Sequence, residues 1–241
     1  MANGTTLSSL TACVSEIDTF IYLRRLSFKR HLKGTESKVL DPRDASTGLA
    51  GAELLDPSLA KRGEQWWMYL AGQAHGHGPT EIYSASLPRK AALSATGWNL
   101  TRDAEGQLEP LAGRSFSGPW DGKGGRHCPS YVKGWDPHKR ERVERIYYAG
   151  AAENLWGPYR IGFLQWDRET WMDQPEPAFS ANEEWEHGSV YEANLVYHDG
   201  KWKMWYVAGS NHEDYLVHGY AERVKTVSPA GASMRCSRPP G

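Results

Sequence analysis

The sequence has few cysteines, no excess of basic residues and no long hydrophobic run. Only three of its 241 residues are cysteine, a sparse and odd number that argues against a disulfide framework. The 28 Lys and Arg residues are balanced by 29 Asp and Glu residues, which argues against a nucleic-acid partner and against binding to an anionic membrane. No stretch approaches the ~20 apolar residues that cross a bilayer, and the N-terminus lacks a signal-peptide pattern. We therefore predict a cytoplasmic protein.

Aromatic residues with a polar tip are abundant instead. The chain contains 11 Trp and 12 Tyr against 5 Phe. Such amphipathic rings suit β-strands and wet, stacking clefts better than a purely apolar core. The composition therefore favours an all-β protein with a small-molecule binding cleft.

Three segments of the sequence resemble one another. They begin at Asp56, Cys128 and Glu192, and each continues with Pro or Ala, then Ser or Asn, then an apolar pair. Each closes on an aromatic-rich strand that ends in Ala-Gly. The period is about 65 to 70 residues, with about four short strands bounded by Gly, Pro and Asp turns, which is typical of a β-propeller blade.

The predicted fold is accordingly a single all-β propeller domain of four-stranded blades over residues 1–226, followed by a flexible tail over 227–241. The third repeat lacks an evident fourth strand, because residues 227–241 are small and Pro-rich. The N-terminal segment Phe28–Leu40 matches the missing strand in spacing. We predict that it completes the last blade near Tyr215–Ala221 and removes an exposed sheet edge.

The residues that open the repeats are the candidate site. In a propeller blade the first strand lines the central channel, so Asp56, Cys128 and Glu192 are expected at one channel mouth. Two carboxylates on different blades could serve as an acid and a base. Burial beside a second negative charge would raise the pKa of Glu192 and keep it protonated near neutral pH.

Here the sequence resembles the five-bladed propeller glycoside hydrolases of families 32 and 43, the invertases, arabinanases and xylosidases. The segments that carry the resemblance are "LLDPSLAKRGEQWWMYLAG", "RHCPSYVKG" and "VYEANLVYHDGKWKMWYVAG". The resemblance implies that Asp56 is the base or nucleophile and Glu192 the general acid. At the middle position, where family 43 enzymes tend to have a third Asp, this sequence has Cys128, and the chain is shorter than a full five-bladed ring requires.

Further residues are candidates for substrate binding. Histidines occur in the loops after the Ala-Gly ends and before Cys128, and tryptophans precede the channel strands. The predicted substrate-binding residues are His75, His127, Cys128, Trp120, Trp185 and His212. We predict no cofactor and no metal site, because no pair of histidines has the short spacing of a zinc site.

Several functions stay open at this stage. The pattern predicts an enzyme that acts on a small glycoside or a similar polar cyclic substrate. One alternative is a non-hydrolytic isomerase, cyclase or lyase of specialised metabolism, in which the His127–Cys128 pair transfers protons or Cys128 is a nucleophile if a neighbouring histidine lowers its pKa. Another is a non-catalytic ligand-binding propeller. Asp56 could also be an ordinary turn opener before Pro57, and Cys128 a small buried hydrophobe. A homo-oligomer is possible.

Overall fold

The structure is a computed structural model that describes residues 21–25, 35–41, 52–74, 78–112, 120–154, 156–209, 216–223 and 235–237. Within these ranges the chain is almost entirely β. The one helical segment among them is a 3-10 turn at Glu184–Glu186, next to the third sheet. No helix of the described residues has the length and apolar character needed to span a bilayer.

In the part of the chain that the structure describes, fourteen strands form three four-stranded antiparallel sheets and one two-stranded sheet. The two-stranded sheet contains β1 (Ile21–Arg25) and β2 (Thr35–Leu40). The first blade contains β3 (Glu53–Arg62), β4 (Gln65–Gln73), β5 (Glu81–Pro88) and β6 (Asn99–Leu100). The second contains β7 (Gly125–Asp136), β8 (Glu141–Ala151), β9 (Tyr159–Trp166) and β10 (Trp171–Met172). The third contains β11 (Val190–His198), β12 (Lys201–Ala208), β13 (Val217–Arg223) and β14 (Arg235–Ser237). The all-β propeller prediction is confirmed.

Local sequence explains the tight hairpins. In the third blade, His198 pairs with Lys201 across the two-residue turn Asp199-Gly200. Both turn residues have positive φ, 52° at Asp199 and 73° at Gly200. This is the geometry of a type I′ turn, which Asp-Gly adopts readily and which matches the twist of the flanking strands. The turn therefore sets the register of β11 against β12.

The same irregularity occurs in the inner strand of every blade. Pairing of the inner strand with its neighbour shifts between Leu55 and Ser58, between His127 and Ser130, and between Tyr191 and Asn194. Each shift places two inner-strand residues opposite one residue of the next strand, which is the definition of a β-bulge. The first residue inside each bulge is the one that opens a sequence repeat: Asp56, Cys128 or Glu192.

Adjacent blades pack face to face in chain order. The backbone N–H of Tyr131 in β7 donates to Ser58 Oγ of β3 at 3.1 Å, and the N–H of Leu195 in β11 donates to Ser130 Oγ of β7 at 3.1 Å. Apolar cores fill both spaces, one around Tyr69 and Ile146 and the other around Tyr147 and Met204. The second blade therefore lies between the first and the third and brings the three bulges together.

The predicted role of the N-terminal strand is wrong over its described part. Within Phe28–Leu40, residues 35–40 form β2, which pairs with β1. Val39 and Leu40 pack on the first blade, in the core that contains Leu54 and Tyr83.

The fourth strand of the third blade is β14, which pairs with β13 between Ala221 and Cys236. This strand lies inside the segment predicted as a tail, where three residues carry too little periodicity to indicate a strand. The division into one domain over 1–226 and a tail stays a prediction.

Candidate functional site

The three bulge residues share an unusual backbone conformation. The φ angles of Asp56, Cys128 and Glu192 are 52°, 51° and 50°, in the left-handed region. For a residue with a side chain this conformation costs roughly 1–2 kcal/mol. Strained backbone of this kind persists where the surrounding structure holds it, and it clusters at functional sites. Three equivalent strained positions on three blades therefore point to a shared site.

Cys128 contacts Asp56 directly. The thiol donates a hydrogen bond to Asp56 Oδ2 at 3.4 Å. Burial, together with the negative charges of Asp56 and Glu192, raises the pKa of the Cys128 thiol well above its usual value. The thiol is therefore protonated at neutral pH. Burial and the two nearby carboxylates act against the hypothesis that a histidine activates Cys128 by lowering its pKa, and the role of Cys128 stays a prediction.

Glu192 lies at the solvent-facing side of the same cluster. Its side chain is exposed, yet partial desolvation of its carboxyl and the charge of Asp56 raise the pKa of Glu192 above its usual value. The proximity of His218 acts against this shift. The sequence-based expectation that a neighbouring carboxylate raises this pKa therefore agrees with the electrostatics of the site.

His127 stands beside the cluster in an aromatic wall. Its Nε2 lies 2.9 Å from the carbonyl oxygen of Gly124, which can only accept, so Nε2 carries the proton. The imidazole contacts the ring of Tyr159 edge-on at 5.7 Å, and Tyr159 contacts Tyr191 at 5.3 Å. Burial lowers the pKa of His127, despite the hydrogen bond to Gly124 and the charge of Asp56. His127 is therefore a neutral wall residue near Asp56.

His218 was missed by the sequence comparison. It pairs across the third blade with Val207, which pairs with Tyr191. The corresponding residues of the first and second blades are Ile82 and Ile161, and both are buried. An exposed histidine thus replaces a buried isoleucine beside Glu192. In the sequence the third segment aligns by its Ala208-Gly209, whereas the structural equivalent of the other Ala-Gly pairs is Val207-Ala208, one residue earlier. This offset hides the substitution.

The two candidate tryptophans lie in packed positions. Trp120 is 4% exposed and stacks on Tyr148 with ring centroids 5.6 Å apart. A Cβ atom at Gly162 would lie 2.2 Å from the Trp120 ring, so this ring packs closely against the second blade. Trp185 is half-buried and stacks on Tyr206 at 6.2 Å. The predicted stacking of these rings on a ligand therefore has no support from their placement.

The remaining histidine candidates, His75 and His212, lie outside the described residues, and their roles stay predictions. Among the residues that the structure does describe, no group of three His, Cys, Asp or Glu side chains has the arrangement of a metal site.

A buried charge network next to the site was also missed. Arg126, two residues before Cys128, is 1% exposed. Its Nε donates to Asp121 Oδ2 at 3.1 Å and its Nη2 to Asp173 Oδ2 at 2.9 Å, while Nη1 lies 3.7 Å from Glu81 Oε2. Tyr148 also donates to Asp121 Oδ2, at 2.8 Å. An isolated arginine gives no sequence signal of burial, since such residues are usually exposed.

Solved structures with a similar fold are glycoside hydrolases. An α-L-arabinofuranosidase from Lactobacillus brevis aligns over 87% of this chain with a TM-score of 0.57 and 12% identity. A family 117 glycoside hydrolase from the marine bacterium Zobellia galactanivorans aligns over 85% with a TM-score of 0.56 and 13% identity. A Bacillus subtilis arabinanase aligns over 80% with a TM-score of 0.51 and 14% identity.

These similarities establish the β-propeller fold and leave the activity to be argued from the site. The chain spans 62%, 59% and 60% of the lengths of these three proteins, respectively. No protein-family model matches the sequence, and no curated protein matches it at a significant level.

Proposed function

We propose that this protein is a propeller enzyme of the glycoside hydrolase type, in which Glu192 is the general acid and Asp56 the base or nucleophile. The observation that carries the proposal is the meeting of Asp56, Cys128 and Glu192 at equivalent strained bulges of three blades. Rigid inner strands are suitable supports for such a pair, because they hold both carboxyl groups in a fixed relation.

The two carboxyl groups need different protonation states for this reaction. Cleavage of a glycosidic bond needs one protonated carboxyl, which gives its proton to the leaving oxygen, and one ionised carboxylate on the other side of the sugar ring. The raised pKa of Glu192 suits the first role. Asp56 accepts a hydrogen bond from the Cys128 thiol, which orients Oδ2 for the second role.

Cys128 is a positioning residue in this scheme. Its protonated thiol orients Asp56 Oδ2, and it puts a neutral group between two carboxyl groups where a third carboxylate would add repulsion. No covalent step on sulfur is needed. The acid–base scheme is therefore favoured over a cysteine-dependent isomerase, cyclase or lyase.

The first substrates to test are small arabinofuranosides. The similar structures include an arabinofuranosidase and an arabinanase. In this chain, Tyr159 and Tyr191 pack against each other beside Glu192, and only 8% of each is exposed. A broader panel of aryl pentosides and hexosides would define the ring size and configuration.

The experiment compares Asp56→Asn and Glu192→Gln with the wild-type protein. Both variants keep side-chain size and remove the acid–base function, so we expect kcat/KM to fall about 10²–10⁴-fold. Glu192→Gln should lose less activity on aryl glycosides with an acidic phenol, because such leaving groups depart without protonation. Glu53→Gln, at an exposed position of the same strand as Asp56, is the matched control and should retain full activity.

Two outcomes contradict the proposal. Unchanged turnover in either isosteric variant would remove that residue from the mechanism. Binding of sugars without any turnover by the wild-type protein would identify a ligand-binding propeller instead, and loss of that binding in both variants would still locate the site.

A further inference from the structure

The outer face of the third blade lacks the cover that the first two blades have. Corresponding positions of the inner strands are Ala60, Val132 and Val196, four residues after each bulge residue. Ala60 and Val132 are buried, whereas Val196 is 40% exposed. In the second strands the corresponding residues are Tyr69, Tyr147 and Trp205.

Tyr69 and Tyr147 are buried because the following blade packs on them. Tyr69 stacks on Tyr131 of the second blade at 5.5 Å, and Tyr147 contacts Trp202 of the third at 6.1 Å. Trp205 is 49% exposed and contacts Tyr220 of its own sheet at 5.2 Å. The third blade thus has the same surface that the first and second blades use to contact the following blade, but none of the described residues packs on it.

The polar groups of that interface are repeated as well. Ser58 and Ser130 accept a backbone N–H from the following blade. Asn194 stands at the corresponding position of the third blade and is exposed there. We define the third-blade face by five residues of one side of this sheet: Asn194, Val196, Lys203, Trp205 and Tyr220.

The undescribed parts of this chain are too short to supply a blade of the same size. Each four-stranded sheet spans 48 residues, for example Glu53 to Leu100. The longest undescribed stretch has 20 residues, at 1–20. An occupant of equal size therefore comes from outside these stretches.

A head-to-tail contact with another copy is disfavoured. The opposite end of the blade stack, the other side of the first blade, is already covered by Val39 and Leu40 of β2. The third-blade face would then meet its own counterpart, an arrangement that requires a self-complementary surface. Both signs of charge are present on it, with Lys203 on the face and the Lys201–Glu222 ion pair (2.7 Å) at its margin. A two-fold axis through the apolar centre can place lysines of one copy near Glu222 of the other.

We propose that the third-blade face binds the same face of a second copy of this chain, with Trp205 and Val196 at the centre of the interface. The contact is independent of the proposed catalysis. It predicts a two-fold symmetric dimer in which a large aromatic residue is the main energetic contributor.

The first test is the mass of the full chain by sedimentation or light scattering over a range of concentrations. We expect two chains of 27.0 kDa each, and a single chain for Trp205→Lys. The matched control is Trp156→Lys, which changes another tryptophan, 69% exposed, outside this face, and should leave the dimer intact. Circular dichroism and the melting curve of both variants establish that each is folded.

The second test is oxidative footprinting of Trp205 above and below the dissociation concentration. We expect protection in the dimer and reactivity in the monomer. A wild-type protein that is monomeric at all concentrations overturns the proposal, and if Trp205 is then protected, a segment of the same chain covers it. A Trp205→Lys variant that remains folded and dimeric also overturns it.

Discussion

The second blade differs from both neighbouring blades at two positions of its inner strand, the bulge residue and the residue two positions before it. All three inner strands have a bulge with φ near 50°, but the second places a thiol there, between the carboxyl groups of Asp56 and Glu192. Two residues earlier, Leu54 and Val190 are buried apolar residues in the first and third blades, whereas the second blade has Arg126. The repeated backbone determines where the side chains lie, and the residues that depart from the repeat, Cys128 and Arg126, change the polarity and charge at those positions.

The largest effect is expected at Arg126, where the second blade departs from the other two. Arg126→Leu would give the second blade the residue that the first has at the same position. Removing the cation leaves Asp121, Asp173 and Glu81 in a buried region without it. We expect the free energy of unfolding to fall by about 3–5 kcal/mol, the cost of breaking a buried ion pair from one side.

Chemical denaturation of Arg126→Leu against Arg89→Leu measures the effect. Arg89 has a half-exposed side chain and a longer ion pair, 3.8 Å from Glu64, so its loss should change stability by less than about 0.5 kcal/mol. If Arg126→Leu were as stable as the wild type, an apolar residue at this position would be sufficient for the stability of all three blades. The ion pairs of Arg126 would then not be needed for stability.

Cys128, the other residue in which the second blade differs, is expected to influence the pH dependence of catalysis. In the proposed mechanism the general acid works while Glu192 is protonated, so we expect activity to fall as pH rises through the pKa of Glu192. Cys128→Asp adds a negative charge beside Glu192 and should raise the pKa of Glu192 further. We expect the descending limb of the kcat/KM profile to move to higher pH.

Cys128→Ser is the matched control. It keeps a neutral donor for Asp56 and should leave the descending limb where the wild type has it. A Cys128→Asp profile that coincides with the wild-type profile would show that Glu192 is not the group titrating in that limb.

The sequence was sufficient to predict the fold and the placement of the three bulge residues. Asp56, Cys128 and Glu192 could be aligned because each is followed by a small or cyclic residue, a Ser or Asn and an apolar pair, and these residues recur wherever the bulge recurs. Periodicity of this kind reports backbone geometry. The equivalence of these three positions could therefore be predicted from the sequence, while their function stays a prediction.

Residues that depart from the repeat could not be predicted in this way. Arg126 and His218 replace apolar residues, and only the packing around them shows that one is buried and the other exposed. Trp120 resembles a loop residue in sequence, and its burial against Tyr148 depends on contacts distant along the chain. Strand β14 is only three residues long, so its pairing depends on the available edge of β13.

The smallest expected effect concerns the strain itself. Glu192→Gly removes an exposed side chain from a position with φ of 50°. Glycine adopts this conformation without the steric cost of roughly 1–2 kcal/mol. Its greater freedom in the unfolded chain lowers the free energy of unfolding by about 0.5–1 kcal/mol. Glu53 lies in an inner strand and is not in the left-handed region, so Glu53→Gly has the entropic cost of glycine without any relief of backbone strain. We expect Glu192→Gly to be more stable than Glu53→Gly by about 1–2 kcal/mol, while losing catalysis.

The difference in stability between Glu192→Gly and Glu53→Gly should also depend on pH. The pKa of Glu192 is raised in the folded protein, so its ionisation opposes folding: the penalty is absent below the unfolded pKa and complete above the folded one. Denaturation curves at pH 4 and pH 8 would therefore show a larger advantage of Glu192→Gly at pH 8. Equal stability of the two glycine variants at both pH values would mean that the third bulge relaxes without cost, and that its geometry stores no strain for the site.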